Sequence, residues 1–232
     1  MGEDGSCGQA QESGEVTSPR PLYQFYGRRK GKPLRRHHLE LMESLLPKIA
    51  VDLADSLKGT DARRWLEIGF GGGEHMAHQA ALHRDVTVIG AEAFLNGVAK
   101  ALAHVEAGAI ENVRIHYGDA RALLDALPDH CFERVYLLYP DPWPKERQKR
   151  RRFVSPQNLS AIHRILISEG QFLFASDIPD YVEWTREHLA AHGGFSLVSD
   201  SDEPFEGWLR TRYETKAIRE GRVPRYLIFR SA

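Results

Sequence analysis

Between residues 63 and 199, short runs of apolar and β-branched residues alternate with longer stretches in which apolar side chains recur every three or four positions. The pattern predicts strands over 63–69, 86–91, 112–117, 133–139, 171–176 and 195–199, with helices over 74–84, 95–107, 120–127, 156–168 and 179–192. Such alternation means βαβ units and a parallel sheet covered on both faces. The end of the chain departs from it. A polar loop, a short helix near 211–220 and a last strand over Arg225–Phe229 predict a closing hairpin, with an antiparallel strand inserted in the sheet. Ahead of the sheet, Leu39, Leu41, Met42, Leu45, Leu46 and Ile49 lie at helical spacing with a break near Pro47, which predicts an amphipathic helix packed on the domain behind it. Residues 1–20 are small, polar and without periodicity, and read as a disordered tail. The organisation expected is a tail over 1–20, a basic segment and helix over 21–58, and one α/β domain over 59–232.

Composition narrows this picture only a little. A chain of 232 residues with 42% hydrophobic content can bury one α/β core and some appendages. Its formal net charge of −1 makes no case for a polyanionic partner, so any such case must come from local runs. Cys7 and Cys131 stand far apart, which favours neither a disulfide framework nor a zinc site and points to a cytoplasmic protein. No run of apolar residues is long enough to span a membrane, and no signal-peptide layout is present.

The chemistry starts at the end of the first strand, in Trp65-Leu66-Glu67-Ile68-Gly69-Phe70-Gly71-Gly72-Gly73-Glu74. Glycines at 69, 71 and 73 permit a sharp turn and a close approach of ligand to main chain, and the following helix offers free N–H groups. A dinucleotide fingerprint would require glycine at position 74, which is Glu74. Glu67 and Glu74 would repel a pyrophosphate and attract a ligand carrying an ammonium and a sulfonium. One such charge pair at ~4 Å gives roughly 4 kcal/mol before desolvation at an effective dielectric of ~20. The turn is therefore read as a site for S-adenosyl-L-methionine.

In an open parallel sheet, ligands bind at the carboxyl ends of the strands. Acids stand at five successive ends: Glu67, Glu92, Asp119, Asp141 and Asp177. Glu92 is placed to accept hydrogen bonds from ribose hydroxyls, and Asp119 with the N–H of Ala120 to read an adenine edge. Asp141 lies in Tyr139-Pro140-Asp141-Pro142-Trp143-Pro144, where prolines fix its backbone and Trp143 adds a flat face for a base. Directly after it, six of the eight residues Lys145–Arg152 are cationic, and Gly27–His38 is a second basic run. Two such segments on a nearly neutral chain favour a nucleic acid touching both. Arg147, Lys149, Arg150, Arg151 and Arg152, with Arg28, Arg29 and Lys30, are the expected phosphate contacts. His75 and His78 stand three apart without a third ligand nearby, so they read as surface or partly buried helix residues, and no metal is expected.

Taken together, GRRKGKPLRR, LEIGFGGGE, GAEAF, GDA, YPDPWPK, Ser176-Asp177 and Thr211-Arg212-Tyr213-Glu214 resemble the bacterial tRNA (guanine-N7)-methyltransferases, which modify position 46 of tRNA. The resemblance covers residues 24–230. It implies a class I, Rossmann-like methyltransferase fold, with a seven-stranded, mostly parallel sheet whose last strand is antiparallel. It implies S-adenosyl-L-methionine as cofactor and tRNA as partner, with no membrane and no metal, and leaves monomer and homodimer both open. Carried over, the cofactor contacts fall on Glu67, Glu92, Asp119 and Asp141 around the turn of Gly69, Gly71 and Gly73. The substrate contacts fall on Lys145, Asp177, Thr211, Arg212, Tyr213 and Glu214. Pro144 departs from the pattern, since many relatives carry His there.

Guanine N7 exposes a lone pair, so its attack on a sulfonium methyl needs no prior deprotonation. Asp141 is the expected catalytic group, stabilising positive charge that develops on the purine, while Asp177 and Glu214 are candidates for guanine N1–H and N2–H₂. The similarity of Tyr139–Trp143 to the Asp/Asn-Pro-Pro-aromatic motif keeps an amino-methyltransferase acting on adenine or cytosine as an alternative. An RNA-binding protein that has kept the fold without catalysis is another.

Overall fold

The computed structural model describes residues 23–52 and 63–232. The tail over 1–20, Cys7 and the boundary at 58/59 lie outside these residues. After two short helices, α1 (Arg36–Ser44) and α2 (Leu46–Ile49), the chain enters β1 (Arg63–Ile68) and then alternates regularly. The order is α3 (Glu74–Leu82), β2 (Val86–Glu92), α4 (Leu95–Ala107), β3 (Val113–Tyr117), α5 (Ala120–Ala126) and β4 (Phe132–Leu138). A 3-10 helix over Glu146–Arg151 interrupts before α6 (Pro156–Ile165), β5 (Leu166–Ser176), α7 (Pro179–His192) and β6 (Phe195–Ser201), and α8 (Arg212–Arg219) and β7 (Arg225–Ser231) close the chain.

The strands form one seven-stranded sheet in the order β3-β2-β1-β4-β5-β7-β6. β1 pairs in parallel with β2 and β4, and β7 lies antiparallel between β5 and β6. The inserted antiparallel strand is thus present as the sequence predicts. The chain begins in the middle of the sheet, runs outward through β2 and β3, and returns to build β4 and β5 on the other side. The order reverses between β1 and β4, and this reversal opens a crevice at the carboxyl ends of the strands.

Helices cover both faces, which is why the central strands are apolar runs and not alternating ones. On one face Trp65, Val88 and Tyr136 pack with Met76 of α3 and Val98 and Leu102 of α4. On the other, Leu66, Phe132, Phe172 and Phe174 pack with Leu123, Leu159 and Tyr181. Leu41 and Ile49 of the leading helices join the first of these clusters. The Val51 N–H donates to the Ile115 carbonyl at 3.0 Å, so this segment is also tied to the β3 edge. Pro47 sits in the first turn of α2, where its missing N–H has no intrahelical role, and the amphipathic stretch is accordingly two helices.

Most boundaries fall within two residues of the expected ones, and the largest difference lies between α6 and β5. The helix expected to reach 168 stops at Ile165, because Leu166 pairs with Phe132 and begins β5. Ile165-Leu166-Ile167 fits helical and strand periods equally, and the pairing partner decides. Among the described residues no helix is long and apolar enough to cross a membrane.

Candidate active site

The turn between β1 and α3 carries Gly69, Gly71 and Gly73 at φ of +69°, +59° and +78°, a left-handed backbone that favours glycine at each. It closes on itself through the Gly73 N–H to the Phe70 carbonyl at 2.9 Å, and docks on β2 through the Gly69 N–H to the Ala91 carbonyl at 2.8 Å. A Cβ built at Gly69 would meet nothing within 4 Å, so the turn is open at that residue, whereas one built at Gly73 would come to 2.5 Å from Ala101 Cβ, so Gly73 lets the turn pack on α4. At Gly97, likewise, a Cβ would come to 2.2 Å from the Gly71 carbonyl oxygen, so the first turn of α4 presses directly on the loop.

Glu92 fixes this loop from the next strand. Its Oε2 accepts from the Gly71 N–H and its Oε1 from the Phe94 N–H, both at 2.8 Å. Burial pushes its carboxyl above the ordinary value, against the pull of these N–H groups, and the charge of Asp141 adds to the rise. Asp119, at the end of β3, caps α5 by accepting from the Arg121 N–H at 3.0 Å, and Arg121 Nη2 lies 2.6 Å from its Oδ2. Desolvation alone would raise the Asp119 pKa, but the bonds from Arg121 outweigh it and the net shift is downward.

The segment 23–32 crosses this end of the sheet as a strap. The Tyr23 hydroxyl donates to Asp125, and Arg121 lies over the Tyr23 ring and donates to the Gln24 carbonyl at 3.0 Å. At the other end the Arg29 carbonyl accepts from Leu95 N–H at 2.9 Å, filling an orphan position at the start of α4, and Gly31 N–H donates to Asn96 at 2.7 Å. Arg28, Arg29 and Lys30 stay exposed, and the charge of Arg29 reaches Asp119.

Asp141 stands at the rim of the cleft in a loop whose flanking residues, Tyr139 and Trp143, hold φ of +48° and +42°. Such conformations are costly for bulky side chains and persist where the surroundings over-determine them. Here Arg152 supplies part of that constraint. It is 3% exposed, donates to the Pro142 carbonyl at 2.9 Å, pairs with Asp180 and lies over the rings of Tyr181 and Trp184. This corrects the expectation that Arg152 faces phosphate: it is the inward anchor of the Asp141 loop. Lys149 is likewise held by Glu146 at 2.9 Å and Asp180 at 3.0 Å. Arg151 lies over Tyr26 and over one face of Trp143, so that face of the indole already carries a cation. Lys145, Arg147 and Arg150 remain exposed. Partial desolvation raises the pKa of Asp141.

At the end of β5, Asp177 pairs with Arg222 Nε at 2.5 Å. Thr211 begins α8, its Oγ1 accepting from Glu214 N–H at 3.2 Å. Glu214 is 2% exposed and accepts from Trp208 Nε1 at 2.6 Å and the Tyr226 hydroxyl at 2.9 Å. Both of its oxygens are engaged, so the structure places Glu214 as the anchor of α8 and not at an open base edge. What the helix presents outward is Arg212 and Tyr213, both within 4 Å of a Cβ built at Gly71. The exposed face continues through Lys216 and Arg219, at helical spacing from Arg212. Sequence reasoning missed this stripe because charges separated by three or four residues do not form a run.

Glu67 is buried at 3% exposure, and His75 Nδ1 lies 2.7 Å from its Oε2. His75 is itself buried, correcting its reading as a surface or partly buried residue. Among the described residues no group of three or more His, Cys, Asp and Glu could hold a metal ion.

A glycine turn after the central strand, acids at the following strand ends and an antiparallel β7 inserted beside β5 define an S-adenosylmethionine-dependent methyltransferase of class I. Residues 61–225 match the family described as "Putative methyltransferase". The 16S rRNA methyltransferase KamB superposes with a TM-score of 0.55 at 16% identity, covering 79% of this chain and 94% of that one. The tRNA (guanine-N(7)-)-methyltransferase of Chelativorans is 49% identical over 217 residues, 88% of this chain and 94% of its own. The protein of the same name from Paracoccus denitrificans is 46% identical over 223 residues, 90% and 95% of the two chains. The chain belongs to the tRNA (guanine-N(7)-)-methyltransferase family.

Proposed function

We propose that this protein transfers the methyl group of S-adenosyl-L-methionine to N7 of the guanine at position 46 of tRNA, acting in the cytoplasm. The observations that carry the proposal are the glycine turn open at Gly69, Glu92 bonded to that turn and within reach of the charge of Asp141, and exposed cations on the strap, after the Asp141 loop and on α8. When bound, the cofactor supplies an electrophilic methyl on a sulfonium. Glu67 and Glu92 would hold its ammonium and ribose ends, Asp119 with the Ala120 N–H its adenine, and the turn of Gly69 and Gly71, held on α4 through Gly73, would let it approach the main chain. Two carboxylates close enough for the charge of one to raise the pKa of the other favour a cationic ligand over a phosphate. Asp141 then stabilises charge developing on the purine, and Asp177, beside its partner Arg222, reads the guanine edge, with Lys145, Arg212 and Tyr213 lining the base side, while the buried Thr211 caps α8. Glu214 contributes by holding α8.

Phosphate contacts fall to the exposed cations: Arg28, Arg29 and Lys30 on the strap, Arg147 and Arg150 beyond the Asp141 loop, and Lys216 and Arg219 on α8. The inward and outward arginines of one run are expected to separate cleanly. Arg147→Ala with Arg150→Ala should leave stability within about 0.5 kcal/mol and reduce the log–log salt slope of tRNA binding by roughly 1.5–2. Arg152→Met should instead lower unfolding free energy by about 1.5–3 kcal/mol, through lost charge-assisted bonds. Denaturant melts and salt titrations read both, and an Arg152→Met protein of wild-type stability would return that residue to the solvent-facing set.

The site of modification is tested with an unmodified tRNA transcript and its guanine-46-to-adenine counterpart. Methyl incorporation is expected in the first and its loss in the second; equal incorporation would place the target elsewhere in the tRNA.

A further inference from the structure

The first turn of α3 directs a histidine into the protein, where its partner is the acid at the end of β1. A carboxylate only accepts, so at 2.7 Å it is His75 Nδ1–H that donates to Glu67 Oε2. The ring is held edge-on to Tyr136 at 5.1 Å and tilted against Trp208 at 5.0 Å. Its other nitrogen, Nε2, is buried without a hydrogen-bond partner. If His75 served packing alone, phenylalanine would fill the same space and strand no polar atom. No second donor among the described residues reaches Glu67. One turn further along, Gln79 Nε2 donates to the Gly207 carbonyl at 2.9 Å, and Trp208 passes its own N–H to Glu214. The inner face of α3 therefore supports the Glu67 carboxylate and the loop that leads into α8.

We infer that His75 is a positioning residue, which aims the Glu67 carboxylate into the cofactor end of the crevice by donating Nδ1–H to it. This rests on the proposal that Glu67 holds the ammonium of S-adenosylmethionine. Without the donor, Glu67 is a buried carboxylate whose Oε2 has lost its hydrogen bond, and it gains by turning away. That turn weakens attraction for a cationic ligand and leaves the tRNA side untouched.

The test uses the intact enzyme with three single substitutions, each followed by steady-state kinetics in both substrates and a thermal melt. Glu67→Gln removes the charge, His75→Phe keeps the ring volume and removes the donor, and His75→Asn keeps a donor near Nδ1 and removes the ring. Glu67→Gln and His75→Phe are each expected to raise KM for S-adenosylmethionine roughly 10–100-fold, with KM for tRNA and kcat nearly unchanged. His75→Asn is expected to melt lower than wild type and yet keep a KM for S-adenosylmethionine within about threefold of it. If Glu67→Gln binds the cofactor as wild type does, the role given to Glu67 fails and this inference with it. If Glu67→Gln is impaired but a folded His75→Phe is not, or if KM follows melting temperature across the two His75 variants, His75 is structural only. Should His75→Phe not fold, the Asn variant decides alone: a KM raised tenfold or more would overturn the inference.

Discussion

Asp141→Asn is expected to reduce the single-turnover methylation rate by roughly 10²–10³-fold with cofactor and tRNA both saturating, while the protein stays folded. Asparagine keeps a hydrogen-bond acceptor and loses the charge, so the effect isolates electrostatic stabilisation of the purine cation. Saturation is required because Asp141 is also proposed as a cofactor contact, and its charge acts on Glu92. The geometry supports a charge-based role: the loop holds two bulky residues at positive φ and is braced from within by Arg152. That arrangement fixes the backbone of a carboxylate that is exposed in the structure and whose pKa the surrounding protein raises. A folded Asp141→Asn protein with the wild-type single-turnover rate would leave Asp141 as a turn residue.

Glu92→Ala is expected to weaken S-adenosylmethionine binding by about 2–4 kcal/mol, roughly 30- to 1,000-fold, measured by calorimetry. It removes the proposed ribose contact and strands the N–H groups of Gly71 and Phe94. Cofactor affinity should also carry the pH dependence of this group. Its pKa is raised from 4.5, so the carboxylate form, and affinity with it, is lost as pH falls through that raised value, earlier than for an ordinary acid. For folding the sign is opposite. A raised carboxyl pKa contributes stability that is fully present below the unfolded value and disappears as pH rises through the folded one. Glu92→Gln should flatten the affinity profile on the acid side, and an unchanged profile in that variant would move the titration to another group.

Much of this architecture was legible because it is written locally. Buried parallel strands must be apolar and must end somewhere, and at Glu67, Glu92, Asp119, Asp141 and Asp177 the apolar run stops at or near an acid. The antiparallel β7 was legible from the lost alternation after β6. What stayed hidden depends on partners distant in the chain. Arg152 looks like its neighbours until Asp180, Tyr181 and Trp184 fold around it. Thr211 and Glu214 read as a helix start or as substrate groups, and only Trp208 and Tyr226 decide that the acid turns inward. The basic segment gave no hint of its path, because its ties to Asn96 and Arg121 bridge 65 and 97 positions of sequence. His75 was misjudged for a related reason: spacing between histidines says nothing about a carboxylate on the preceding strand.

The most direct test of the central claim is the chemical identity of the product. Purified protein is incubated with S-adenosylmethionine and unmodified tRNA, the RNA is digested to nucleosides, and the methylated nucleoside is identified by mass spectrometry. The expected product is 7-methylguanosine; 6-methyladenosine, a methylated cytidine or no methylated nucleoside would contradict it.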